Sequence, residues 1–305
     1  MPPCPTRCVR RLLVMLLVLS PGLGRAYWCS VSVGGVTTTL VDRDVDVAMS
    51  VTLNCQRAER YEGALLSYRI KATLGGNAQS ASPYRRVRLG ASGHHLAYAL
   101  TRATSSGGSA SCSNTTNWTA PSIGNSDVMT GTINFANRFM ASVTWNACLR
   151  VRAPASQQPW PAAGSYQDSF SLFVQYPGND SGALSPSVAV PVTVNVTSRC
   201  ALSQPSALTF NYPSFSRSDV MAGNQADLRC SNGLPWSATL DQNSGRLLGL
   251  DYTLSVLGPS MAPSGSGTGL AQRLEVLGRM PAGQSGTCNT GTCTARRTHT
   301  LTITY

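Results

Sequence analysis

Four short motifs occur twice in this chain, in the same order, and that duplication restricts it to one fold used two times. Val51-Thr52-Leu53-Asn54-Cys55 returns as Ala226-Asp227-Leu228-Arg229-Cys230, and Ala72-Thr73-Leu74 returns as Ala238-Thr239-Leu240. Leu96-Ala97-Tyr98-Ala99-Leu100 returns as Leu250-Asp251-Tyr252-Thr253-Leu254. Pro161-Ala162-Ala163-Gly164 and Pro281-Ala282-Gly283 each lead toward a run that ends in Tyr, at Tyr176 and at Tyr305. Both Tyr-terminated runs, Gly164 to Tyr176 and Thr298 to Tyr305, alternate with a period of two, which puts one face of a strand in a core. Few charges, abundant Ser, Thr and Gly, and little helical periodicity make the composition all-β. The second run stops on a strand that is expected to have a neighbour.

Residues 1–26 read as a targeting segment. Arg7, Arg10 and Arg11 precede the apolar stretch Leu12 to Leu19, and Pro21 and Gly22 break it before Gly24-Arg25-Ala26. That stretch is too short to span a bilayer. Removing the segment takes away four Arg and no acid, so the formal charge falls from +11 to +7. The remaining basic residues are scattered and lack an aromatic or helical reading face, which argues against nucleic acid as a partner. Cys4 and Cys8 leave with the segment, so eight of the 10 Cys stay in an exported chain and read as disulfides. Eight Cys allow 105 pairings, and the repeat selects among them. Cys29 and Cys200 open the copies and are expected to bridge to Cys55 and Cys230. Cys288 and Cys293 flank a tight turn and close it, which leaves Cys112 for Cys148.

The copies differ in size. From Cys55 to Ala72 is 17 residues and from Cys230 to Ala238 is 8, a nine-residue insertion in copy one. Long loops on a rigid scaffold are where binding usually resides. The chain divides into a 27–187 segment and a 188–305 segment. Val188, Val190, Val192, Val194 and Val196 alternate cleanly with small or polar residues. This run is either the first strand of copy two or a last strand of copy one, and Pro191 within it cannot donate a ladder hydrogen bond.

Copy two resembles the spore coat U domain of Csu-type pilins from archaic chaperone–usher pili. The resemblance is carried by Val194 to Cys200, Leu208 to Tyr212, Ala226 to Gly233, Ala238 to Asp241, Leu250 to Tyr252 and Leu301 to Tyr305. It covers roughly residues 190–305, and copy one matches only at its skeleton. The resemblance implies two immunoglobulin-like β-sandwich domains, the second incomplete and needing a donor strand. A periplasmic pilus chaperone, an outer-membrane usher and an adjacent pilin subunit donating a strand are the implied partners. An open sheet edge with an apolar groove is an aggregation hazard unless a strand fills it. Maturation near Ala26 leaves only Tyr27-Trp28 before Cys29, too short to donate a strand, which favours the end of a polymer. The expected function is a fimbrial tip adhesin for attachment and biofilm formation, exported through the periplasm to the pilus tip. A minor adaptor pilin or a spore-coat-like secreted protein is the alternative, and an exported hydrolase the least favoured.

Catalytic, metal and cofactor chemistry finds little footing. Adjacent strand residues point to opposite faces, so His94-His95 makes a poor metal pair. Asp42, Asp44 and Asp46 lack the downstream Gly and Glu of a hand-type calcium loop. His299 lies in the terminal strand with no nucleophile elbow nearby.

In an immunoglobulin-like sandwich the B–C, D–E and F–G loops share one pole. If the Val188 run completes copy one, that pole points away from copy two. The expected surface-binding residues there are Tyr61, Leu65 and Leu66 in the first loop, Trp118, Ile123, Val128 and Met129 in the second, and Ala183 and Leu184 in the last. An apolar patch of this kind fits an abiotic or host surface. Trp160 falls at the opposite pole, near the junction of the copies.

Overall fold

Alternation of inward and outward side chains sets the strands. The computed structural model describes residues 27–305 apart from 41–42, 59–63, 78–84, 105, 108–111, 114, 119–128, 153–158, 178–186 and 290. The described residues form strands and turns, with no helix among them. The targeting segment, Asp42, Tyr61, Ile123, Val128, Ala183 and Leu184 lie outside the described residues.

The first lobe opens with β1 (Tyr27–Val33), β2 (Val36–Leu40), β3 (Val45–Arg57), β4 (Leu65–Ala72), β5 (Arg85–Arg88) and β6 (His95–Ala103). It continues with β7 (Thr115–Asn117), β8 (Met129–Asn134), β9 (Met140–Val151), β10 (Gly164–Gln175) and β11 (Ser187–Val196). One layer runs β1-β3-β9-β6-β5, with β7 on β6; the other runs β8-β4-β10-β11-β2. A pairing of Gln167 with Arg88 joins the layers. In immunoglobulin terms β1, β3, β9 and β6 are strands A, B, E and D, facing C, F and G as β4, β10 and β11.

The Val188 run is therefore a last strand for the first lobe. β11 pairs antiparallel with β10 from Gly164↔Val196 to Phe173↔Ser187, and parallel with β2 on its other side. The 187/188 division splits this strand from its neighbours. Val190, Val192 and Val194 are fully buried, each contributing about 1.5–3 kcal/mol. Pro191 is paired with Ser169 on the outward face, where its ring meets Gly35. The core takes both layers, from Leu53, Val87 and Leu149 on one to Ile70, Phe170 and Val192 on the other. Asp168, buried beneath it, accepts from the Tyr98 hydroxyl at 2.8 Å and the Gly76 N–H at 3.0 Å. Burial and the neighbouring carboxylate push the Tyr98 phenol far up.

The second lobe holds β12 (Cys200–Leu202), β13 (Val220–Cys230), β14 (Pro235–Leu240), β15 (Ser244–Leu247) and β16 (Leu250–Leu257). It ends with β17 (Ser264–Ser266), β18 (Ala271–Met280) and β19 (Leu301–Thr304). The sheet β12-β13-β18-β16-β15 faces the sheet β17-β14-β19. These are strands A, B, E and D against C and F, the same order as the first lobe with no strand in the G place among the described residues. The core here is small: Leu228, Cys230, Trp236, Ala238, Val256 and Leu274.

Four disulfides are present, Cys29–Cys55, Cys112–Cys148, Cys200–Cys230 and Cys288–Cys293. The first and third each join a strand pair in register, β1 to β3 and β12 to β13.

Candidate assembly edge and distal apolar pole

β10 and β19 occupy the same place in their lobes. β10 has β4 on one side and β11 on the other. Among the described residues β19 pairs with β14 alone, from Leu240↔Leu301 to Ser237↔Thr304. Leu202, Leu240, Val276, Leu301 and Ile303, on β12, β14, β18 and β19, are apolar side chains only partly buried against the core. An apolar groove beside unpaired backbone is what an added strand fills.

The start of β19 is nevertheless fixed. His299 Nδ1 lies 3.0 Å from the Asp241 carboxylate and Nε2 lies 2.8 Å from the Tyr252 hydroxyl, tying β19 to β14 and across to β16. This Asp–His–Tyr chain offers solvent no nucleophile. Tyr252 is buried, and its hydroxyl sits against Gly245, where any Cβ would collide with it.

The end of the first lobe far from the second is apolar and built. Tyr27 stacks on Phe135 with centroids 5.8 Å apart, and Arg57 lies 5.6 Å over the same ring. Arg57 Nη2 donates to the Ala136 carbonyl at 3.1 Å, and the Asn134 side chain accepts the Ala136 N–H at 2.8 Å. Ala136 takes φ 45° in this turn. The rigid turn exposes Phe139 and Met140, 49% and 64% accessible. Trp28 and Met140 flank Gln56 in register on one outward face, Trp28↔Gln56 and Gln56↔Met140. Leu65, at the start of β4, is 63% accessible at the same pole.

Leu65 is thus the one described member of the expected surface set that is exposed. Leu66, Trp118 and Met129, expected at loop tips, are corrected: each is buried in the core. Leu66 follows Leu65 on β4 and so faces inward, and Met129 opposes Ile70 on the inward face of β8. Trp118 extends β7 along β6, its backbone N–H donating to the Leu100 carbonyl at 2.7 Å, while Arg85 Nη1 donates to the Trp118 carbonyl at 2.7 Å. Trp28, Phe139 and Met140 escaped the sequence reading. For Trp28 and Met140 the signal was an outward apolar position on a largely polar face of β1, β3 and β9; Phe139 lies in the turn before β9.

At the other pole Trp160 joins the lobes. The guanidiniums of Arg199 and Arg229 lie 3.6 and 4.3 Å from the centroid of its ring, and its backbone N–H donates to the Gly269 carbonyl at 2.8 Å. Gly269 takes φ 77° and has no room for a Cβ, because the Trp160 backbone lies against it.

Asp46 lies near the Cys112 and Cys148 sulfurs, but those are bonded to each other, and Arg150 grips both carboxylate oxygens at 2.6 and 2.7 Å. That bond holds the Asp46 carboxyl below its ordinary range. Desolvation first, then Arg86, Arg88 and His94, push the His95 imidazole down, a poor setting for a further cation.

No known family profile matches the chain, and no curated protein matches it. Similar solved structures include pilus adhesins and pilins as well as a PapD-like domain of human CEP192. The chaperone–tip adhesin pre-assembly complex CsuC–CsuE of archaic Csu pili from Acinetobacter baumannii is 11% identical, covering 90% of this chain and 100% of that one, with a TM-score of 0.46. The CupB6 tip adhesin of Pseudomonas aeruginosa is 8% identical over 90% of this chain and 94% of its own, with a TM-score of 0.36. CfaE, the adhesive subunit of CFA/I fimbria of enterotoxigenic Escherichia coli, is 10% identical over 88% and 96%, with a TM-score of 0.34.

Proposed function

We propose that this chain is a fimbrial tip adhesin, a binding and assembly protein without catalysis, incorporated by donation of a strand from outside. One observation carries the reading: the first lobe supplies its own G strand, β11, beside β10, while among the described residues β19, which holds the place of β10, has a free edge on that side. A closed lobe at one end and an open one at the other is the layout of a terminal subunit. The domain division that fits the strands falls at residues 197–199, between β11 and β12. A periplasmic chaperone strand fills the groove first, an outer-membrane usher exchanges it, and the strand of an adjacent pilin of the spore coat U class replaces it. The first lobe then faces outward, and Trp28, Leu65, Phe139 and Met140 meet abiotic or host surfaces, supporting attachment and biofilm formation. Burying that pole contributes about 25 cal/mol per Å² of apolar area.

The test has two arms. The mature chain is mixed with a peptide of the β11 sequence, residues 187–196, and hydrogen exchange is followed at β19; protection and a monomeric state appear with peptide. Unchanged exchange refutes strand capture. Serine at Trp28, Leu65, Phe139 and Met140 together lowers attachment of piliated cells to a hydrophobic surface by about tenfold or more. Full attachment removes the apolar pole, and loss confined to glycan-coated surfaces replaces it with a lectin.

A further inference from the structure

The second lobe carries two large apolar side chains that break two rules at once. Phe215 is 69% accessible with φ 58°, and Leu248 is 37% accessible with φ 50°. A left-handed backbone is an outlier for side chains of this size, and exposure recovers none of its cost. One segment holds both. The Phe215 N–H donates to the Gln284 carbonyl and the Thr287 N–H donates to the Leu248 carbonyl, each at 2.7 Å. Gln284 is itself immobilised: its N–H donates to the Tyr212 hydroxyl at 3.0 Å, and its side-chain oxygen accepts the Asp251 N–H at 2.6 Å. Its side-chain amide donates to the Asp251 and Pro281 carbonyls, both at 3.0 Å. Phe215 and Leu248 are therefore rigid knobs.

Strain and exposure do not identify a contact by themselves, since Met261 has both, at 73% accessible with φ 61°. Met261 lies in the turn after β16, however, whereas Leu248 lies in the turn before it, at the other end of the lobe. The first lobe shows what that end is for. There the turn into β6 and the Pro161 motif before β10 correspond to the turn into β16 and the Pro281 motif before β19. In the first lobe these two features, as Gly93, His94, Pro159 and Trp160, surround a small cavity that Asn232 of the second lobe completes. β11, antiparallel to β10, leaves past Gly164 and continues directly into β12. A lobe of this chain receives its neighbour at the end where its last strand leaves.

We infer that Phe215 and Leu248 dock the body of the neighbouring subunit whose strand completes β19, an inference that rests on the strand reading above. A strand laid on β19 as β11 lies on β10 leaves past Leu301. That is the end where His299 meets Tyr252 near the start of β16, and where Gln284 braces both knobs. The incoming subunit is thus bound twice, by its strand in the groove and by its body on an apolar end-face.

The test places a benzophenone amino acid at position 303, 215, 248 or 261 of the full chain in cells that assemble the fimbria. On illumination, position 303 links to the donated strand. Positions 215 and 248 link to residues outside that strand in the same neighbour, and position 261 does not. Linkage at 303 with none at 215 or 248, or with linkage there only to the strand, overturns the docking and spares the strand reading. Failure at 303 sinks the strand reading and this inference with it. Phe215→Ser with Leu248→Gly, the latter suited to the same φ, then accelerates release of the whole neighbour about tenfold while leaving release of the 187–196 peptide unchanged. Equal release of the neighbour from parent and variant also overturns the docking.

Discussion

β10 and β19 grow from matching motifs and hold the same position in their lobes, yet one is a core strand and the other an edge. On β10, Tyr166, Phe170, Leu172 and Val174 are all buried; on β19, Leu301 and Ile303 are half-buried. Both strands carry the same alternation. The difference is the neighbour: β11 closes one groove, and the other stays open. Strand sequence sets which side chains face inward, and pairing decides whether they leave water.

The sharpest way to break the comparison is one substitution made in both grooves. Val192→Asp puts a carboxylate into the closed core and destabilises the first lobe by about 4 kcal/mol or more. Ile303→Asp lies on an open groove and costs the free chain roughly 1 kcal/mol, while abolishing capture of the 187–196 peptide. Urea unfolding of each variant, with and without peptide, reads both effects. Equal losses in the free chain mean that the two grooves are equally closed.

This contrast was half legible in the amino-acid sequence. The duplication and the period of the valine run located the strands, and Val188 onward admitted a role in the first copy. Which lobe owned the run was not legible, because a period of two says which face is apolar and not which neighbour covers it. The distal pole was read less well for a related reason. Apolar residues between strands looked like loop tips, but Trp118 continues β7 and Met129 begins β8, so both turn inward. Met140 starts a strand whose outward face is otherwise largely polar and Phe139 ends the turn before it, a turn held by the Tyr27–Phe135–Arg57 packing and by hydrogen bonds to Ala136 that the sequence does not display.

A second comparison uses the bridges. Cys29–Cys55 and Cys200–Cys230 span 26 and 30 residues and join equivalent strand pairs. Loop closure then contributes nearly the same in each, about 3–4 kcal/mol. Paired Cys→Ala replacement of the first leaves the first lobe folded with a lower unfolding midpoint. The same change in the second lobe removes its cooperative transition until the 187–196 peptide is added. Calorimetry of both variants decides it; matching behaviour would mean that β11 gives the first lobe no advantage.

The smallest expected effect comes from two ion pairs of similar geometry. Arg150 grips Asp46 between β9 and β3 at 2.6 and 2.7 Å, and Arg246 grips Asp251 between β15 and β16 at 2.7 and 2.9 Å. The arginine hydrogen bond holds each carboxyl below its ordinary value of 3.8. A depressed folded value means that the stabilising contribution is complete above the unfolded value and is lost as pH falls through the folded one. Asp46 is 34% accessible and its partner 51%, so solvent screening keeps the pair to about 0.5 kcal/mol. Asp46→Asn should therefore lower stability slightly near pH ~7 and not at all once pH falls below the depressed folded value, where both states are protonated. Asp251 lies between the two outermost strands of an open lobe, at 56% accessible, and Asp251→Asn should leave the unfolding midpoint unmoved. Urea titrations at the two pH values separate charge from packing: an Asp46→Asn loss that persists in acid belongs to packing between β3 and β9. An equal loss from Asp251→Asn would show that the edge of the second lobe is as firmly ordered as the interior of the first.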